Sequence, residues 1–262
     1  MMLRGLGWIP DDIDERDEIL ASAHLPGYGA SPAASVVRDD LLPPEVADQG
    51  PDATCVAEAG AALIYGAHVA SDAVVPPYEL LSSKGAHWLC RFELGNQVYN
   101  VGTRNRTFFR VLNKRGFCRA RHWPRDRPLT QRPDVEAGKM MIDQRDRKAE
   151  LGAVRYERIG DTGLALLYAI RAALMADMLV QAGFYVGDSF RAYRPGQALD
   201  PPSEGGGHAM VIYGYDAGRW MLRNSHGAGY GDAGNLMMTD AYMLTARDPW
   251  VARSAPGFSD TP

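Results

Sequence analysis

No run of apolar residues in this chain approaches membrane-spanning length, which argues against an integral membrane protein. The N-terminus, MMLRGLGWIPDDIDERD, lacks the apolar core of a signal peptide, and acidic residues arrive by position 11. Export through a cleaved signal is therefore not expected. Cysteine is scarce: Cys55, Cys90 and Cys118 are too few for a disulfide framework. Cys90 and Cys118 either pair or stay as two buried thiols. Excess charge is also missing. The formal net charge of −4 gives no reason to expect nucleic acid or an anionic membrane as partner. Basic residues do gather between Arg104 and Arg127, with Phe108, Phe109 and Trp123 among them. They read as a solvated helix face whose aromatics turn inward, because no nucleic-acid motif accompanies them. Internal repeats and low-complexity tracts are absent.

What is present suits a soluble globular protein. The 262 residues are 46% hydrophobic and 23% charged, enough for one large domain or two lobes sharing a cleft. Helical spacing appears first. It runs over residues 54–70, from Tyr78 (after Pro76-Pro77) to about Leu89, from about Arg104 to Lys114 with a stop at Gly116, and from Gly163 to Met175. Short strands follow. They are an apolar run over Met178–Val186, HAMVIYGY at 208–215, WMLRN at 220–224 and LMMT at 236–239, separated by Gly-rich turns. Helices first and strands later predict an α+β architecture with two lobes rather than an alternating α/β sheet. Residues 1–40 read as an N-terminal strap, within which the Gly/Pro/Ser/Ala stretch from Pro26 to Ser35 looks like an extended strap or loop over the surface. Residues 41–250 read as one domain, with a helical lobe at about 45–125 and a β-rich lobe at about 150–250. Residues 125–150 form an exposed connection, and 251–262 a C-terminal tail.

One cysteine stands out. In DQGPDATCVAEAG (48–60), Cys55 lies on the first turn of a helix, after turn residues and behind Thr54, a good N-cap type. There the helix dipole favours the thiolate, which is the nucleophilic form. The bland alternative is a small buried apolar residue. The second half of the chain supplies what a nucleophile needs: a base, a group to hold the base, and oxyanion donors. His208 follows Gly205, Gly206 and Gly207, and opens a strand. Asn224 ends the next strand, and a hairpin around Asp216–Arg219 brings the two side by side. Gln49, six residues before Cys55, can aim its amide at the place the Cys55 backbone N–H addresses.

Four separated blocks, GWIPD (7–11), DQGPDATC (48–55), GGHAMVIYGYD (206–216) and RNSHGAGYGDAGN (223–235), resemble the papain-like cysteine peptidases of family C1. The opening at Gly7 looks most like bacterial, archaeal or viral members without a pro-segment. The resemblance implies a papain-like two-lobed α+β fold with the cleft between the lobes, and no metal or cofactor. It makes Cys55 the nucleophile, His208 the base and later acid, Asn224 the group that orients His208, and Gln49 an oxyanion donor. Gly102 falls near the substrate-backbone site, and Ala209 and Gly183 near the main specificity pocket. Three departures are notable. Val56 stands where the family usually has Trp. Asp52 replaces a cysteine that is usually disulfide-bonded, and it would oppose a nearby thiolate if it pointed inward. His226 replaces the Trp that shields the Asn–His contact. The implied function is a cysteine peptidase acting on peptide or protein through an acyl-enzyme, with no nucleic-acid or membrane partner, cytoplasmic or virion-associated. The alternatives are a weakly active or non-catalytic papain-fold component with an assembly partner, such as a phage particle, and a hydrolase of cell-wall peptides.

Overall fold

The computed structural model describes residues 5–29, 35–71, 81–129, 131 and 153–255. Pro76-Pro77 with the expected helix start at Tyr78, most of the 125–150 connection, and residues 256–262 lie outside them. Three helices build the first lobe: α1 (Cys55–Ala70), α2 (Ser83–Glu93) and α3 (Asn105–Arg115). The sequence expectation for α1 and α3 is met within a residue. α2 begins at Ser83, because the Ser82 hydroxyl accepts the Gly85 N–H and caps the helix there. α3 stops at Gly116, whose φ of 69° is cheap only for glycine. Thr54 stands at the α1 N-cap position without capping: its hydroxyl is buried and lacks a hydrogen-bond partner.

Among the described residues eight strands form one sheet: β1 (Ser35–Val37), β2 (Ala153–Arg158), β3 (Val180–Val186), β4 (Ala198–Leu199), β5 (Gly206–Asp216), β6 (Arg219–Arg223), β7 (Asn235–Thr239) and β8 (Arg247–Ala255). The order is β2-β8-β3-β5-β6-β7-β4, with β1 paired to β5. All pairings are antiparallel except β4 with β7. β8 runs to Ala255 with Val251 and Ala252 buried, so the boundary expected at residue 251 falls inside the sheet.

The long strand β5 separates two apolar cores, because alternate side chains of a strand point to opposite faces. Ala209, Val211 and Tyr213 join α1, α2 and α3 in one core. Met210 and Ile212, and Tyr215 beyond the register shift between Ile212 and Gly214, join helix α4 (Leu164–Met175) in the other. Gln181 pins the lobes together. It is fully buried in β3 and donates to Val56 O at 3.1 Å and Asn105 Oδ1 at 2.9 Å, fixing the first turn of α1 and the start of α3. Among the described residues, no helix is long and apolar enough to cross a membrane.

Candidate active site

The antiparallel register sets His208 opposite Phe184 and Ala209 opposite Gly183. The β5–β6 hairpin turns at Ala217-Gly218, both with positive φ, and returns the chain to Asn224 just past β6. There His208 Nε2 and Asn224 Oδ1 lie 2.7 Å apart. Asn224 Oδ1 also accepts the Ser225 N–H at 2.8 Å, so it is an acceptor, and the network assigns the proton of neutral His208 to Nε2. Nδ1 is then the free basic position. It is buried and has no hydrogen-bond partner. The next backbone N–H, that of Ala209, points at the Cys55 sulfur. His208 and Asn224 are thus joined to each other, and the residue after His208 carries the N–H directed at Cys55.

Gln49 is held from both sides. Its Oε1 accepts the Ser225 hydroxyl at 2.5 Å, and its backbone N–H donates to Ser225 O at 2.9 Å. Its Nε2 donates to Asp52 O at 2.6 Å and to Gly5 O at 3.0 Å. Ser225 therefore couples the loop before α1 to the loop that carries Asn224. The sequence offered only its adjacency to Asn224 as a signal for this role.

Asp52 is turned to the Lys84 ammonium of α2 in an ion pair that is largely buried on the lysine side. The loop that resembles a disulfide-held loop is tied here by charge, and the carboxylate has a cation to answer it. His226 is buried and its ring lies 4.8 Å from that of His208, with Phe190 5.4 Å from His208 and 5.6 Å from His226. The position thus covers the His208 ring, with an imidazole and a phenyl in place of an indole.

Of the N-terminal strap, the stretch expected on the surface, Pro26 to Ser35, lies partly outside the described residues. Residues 5–9 lie in the cleft. Trp8 N–H donates to Gly207 O at 3.1 Å, Thr103 N–H to Gly7 O at 2.8 Å, Ile9 N–H to Thr103 O at 3.0 Å and Gly5 N–H to Gly50 O at 3.0 Å. The Trp8 indole is 4% exposed and lies against Gly183 and Gly207, with Tyr185 edge-on at 5.6 Å. A Cβ on Gly183 would run into the indole, and one on Gly102 into the Gly7 carbonyl oxygen. Gly102, Gly183 and Ala209 are thus all near the cleft, and the first two touch the strap.

Burial reverses the expected state of the cysteine. Desolvation pushes the Cys55 thiol up to about 11, although the N–H groups of Ala209 and Gly7 favour the thiolate. Desolvation likewise lowers His208 to about 4. Burial thus favours the neutral thiol and the neutral imidazole over their charged forms, against the backbone N–H groups that favour the thiolate. Cys90 and Cys118 are buried thiols and are not joined to each other by a disulfide.

No family model matches the chain, and no curated protein sequence matches it. Solved structures do. Xylellain, a cysteine protease from Xylella fastidiosa, is 25% identical with a TM-score of 0.77, covering 97% of each chain. Bromelain protease from Ananas comosus in complex with the E64 inhibitor is 18% identical with a TM-score of 0.61, over 85% of this chain and all of its own. Digestive procathepsin L 3 from the larval midgut of Tenebrio molitor is 16% identical with a TM-score of 0.63, over 96% of this chain and 76% of its own. The chain has the fold of the papain-like cysteine proteases, and the resemblance carried by its four sequence blocks is matched by a structural likeness that runs almost end to end.

Proposed function

We propose that the chain is a cysteine peptidase whose reacting groups are Cys55 and His208. The observation that supports this reading is the His208 ring: Asn224 holds Nε2 at 2.7 Å, which leaves Nδ1 as the free basic nitrogen, and the neighbouring Ala209 N–H is directed at Cys55. Nδ1 takes the thiol proton, and the sulfur attacks the scissile carbonyl carbon. The carbonyl oxygen becomes an oxyanion, received by Gln49 Nε2 and the Cys55 backbone N–H. As the tetrahedral species collapses, the C–N bond breaks and the Nδ1 proton passes to the leaving amine. A thioester remains. Water attacks it, Nδ1 accepts the water proton, the C–S bond breaks, and the proton returns to sulfur as the acid leaves. Residues 5–9 stand where a peptide would lie, so substrate enters only when they move. The covered, neutral thiol also favours a second reading, a papain-fold module that binds without turning over. A fluorogenic peptide library, digested under reducing conditions by the parent protein and by Cys55→Ala, separates the two. Hydrolysis lost in the variant supports the peptidase. Hydrolysis that survives in Cys55→Ala overturns the assignment.

A further inference from the structure

We propose that Glu58 is a positioning residue for His208: through a water held in the pocket behind Asn224, it fixes which way the Asn224 amide faces, and so which imidazole nitrogen is left free. Glu58 lies one turn after Cys55 on α1, and its side chain is 1% exposed. A carboxylate so deep needs partners for its oxygens. Oε1 accepts the Ser83 hydroxyl at 2.6 Å and Arg125 Nε at 3.3 Å, and Oε2 accepts Arg125 Nη2 at 2.9 Å. A carboxylate offers about four acceptor positions, so one on Oε2 is left over.

Asn224 has the complementary surplus. Its Oδ1 is taken by His208 Nε2 and the Ser225 N–H, whereas its Nδ2 is buried and has no hydrogen-bond partner. Both side chains line one pocket of about 30 Å³ between α1 and the β5–β6 hairpin, together with Ser225, Ala62 and Ala209. That volume holds a water, and the pocket offers it a donor and an acceptor. The polarity of the relay runs one way. A carboxylate paired with an arginine only accepts, so the water donates to Glu58 Oε2 and turns its oxygen to Asn224 Nδ2. Nδ2 then stays in the pocket and Oδ1 stays on His208. A reversed amide would set N–H groups against Nε2, drive the ring proton to Nδ1, and leave no basic nitrogen there. The Ser225 N–H fixes the oxygen end of the amide, and the relay fixes the nitrogen end.

The effect on turnover rests on the peptidase reading; the effect on the His208 ring does not, so the ring is read first. Nitrogen NMR of the full-length protein carrying isotope-labelled histidine gives the tautomer and the exchange rate of the Nε2 proton, with His208→Ala assigning the resonance. Ala62→Val crowds the pocket and keeps the Glu58–Arg125 pair, because residue 62 shares the face of α1 that carries Glu58. Glu58→Leu removes the acceptor. The parent should hold the Nε2–H form and show a cross-peak between water and the Asn224 side-chain amide. Both variants should lose that cross-peak and exchange the Nε2 proton about 10-fold faster, the effect of one lost hydrogen bond. Identical tautomer and exchange in the parent and Ala62→Val overturn the proposal, as does a parent without the water cross-peak. If Glu58→Leu fails to fold, Ala62→Val carries the test alone. Kinetics follow on Trp8→Ala, which takes away the side chain seated in the cleft and so loosens the strap. There each variant should lower kcat about 10-fold with KM little changed. With Asn224→Ala added they should cost nothing further, because the route through Asn224 is gone. An undiminished loss there overturns the proposal, since a pair that merely braces α1 acts whether or not Asn224 is present. If none of these proteins cleaves a peptide, the peptidase reading fails, and the imidazole spectra decide the role of Glu58 by themselves.

Discussion

Lys84→Met should be one of the most damaging single changes outside the reacting groups. Lys84 is 6% exposed at its side chain and Asp52 20%, so the pair is mostly out of water. Removing the ammonium leaves the Asp52 carboxylate with a long contact to Asn100 Nδ2 at 3.5 Å. The Arg127 carbonyl, which accepts from Lys84 Nζ at 3.2 Å, also loses its donor. Breaking one side of a buried pair costs about 3–5 kcal/mol, and the partial exposure of Asp52 places this case near the lower end. About 3 kcal/mol corresponds to roughly 6–12 °C in melting temperature for a chain of this size. Asp52→Asn paired with Lys84→Met removes both charges and should recover about 2 kcal/mol relative to the sum of the single changes. Thermal and urea melts of the four proteins measure the cycle. If Lys84→Met melts within about 2 °C of the parent, or if the two changes simply add, charge does not hold this loop.

Acid should act on Asp11 in a defined direction. Burial and the nearby Asp248 carboxylate raise Asp11 from 3.8 to about 6, so the folded state binds its proton more tightly than the unfolded chain. Stability from this group grows as pH falls through about 6. Between pH 7.5 and 5 the parent should gain about 1.4 kcal/mol relative to Asp11→Asn in urea melts, and parallel curves would remove Asp11 from the account. His208 works the other way, being lowered to about 4, so its contribution is lost as pH falls below the ordinary histidine range and towards that value. Asn224→Ala removes the 2.7 Å partner of His208 Nε2 and should lower kcat/KM on peptides by about 100-fold with little change in KM, a split that steady-state kinetics on a strap-loosened background reads. His226→Trp replaces a ring that can take a proton, 4.8 Å from His208, with one that cannot, so the acid limb of the rate profile should move to lower pH; superimposable limbs would take His226 out of the mechanism.

The elements that the sequence announces are those written in local chemistry. The α1 helix follows from its run of good helix formers, the end of α3 from Gly116, and the β5–β6 hairpin from the Asp-Ala-Gly turn. The His208–Asn224 contact follows from that hairpin, because the spacing of two strands is set by the turn between them. Other features are hidden because their cause lies far along the chain. β2 and β8 carry Arg, Glu and Asp where a strand pattern is sought, since they sit at one edge of the sheet and pair through Arg155 with Arg253 and Glu157 with Val251. Trp8 reads as part of a family block, but nothing near it says that its indole rests on Gly183. The state of Cys55 is hidden for the same reason. A helix N-terminus argues for a thiolate, and only the three-dimensional packing that buries Cys55 removes the water that the thiolate needs.

The central claim is that Cys55 is the nucleophile of a peptide-cleaving site. A peptidyl epoxide, which needs both a bound peptide backbone and a reactive thiol, tests it most directly when applied to Trp8→Ala and mapped by intact mass and peptide digestion. One equivalent at Cys55, lost on His208→Ala, and an unmodified Cys90 and Cys118 are the predicted result. Modification of Cys90 or Cys118 ahead of Cys55, or an inert Cys55 once the strap is loosened, would contradict it.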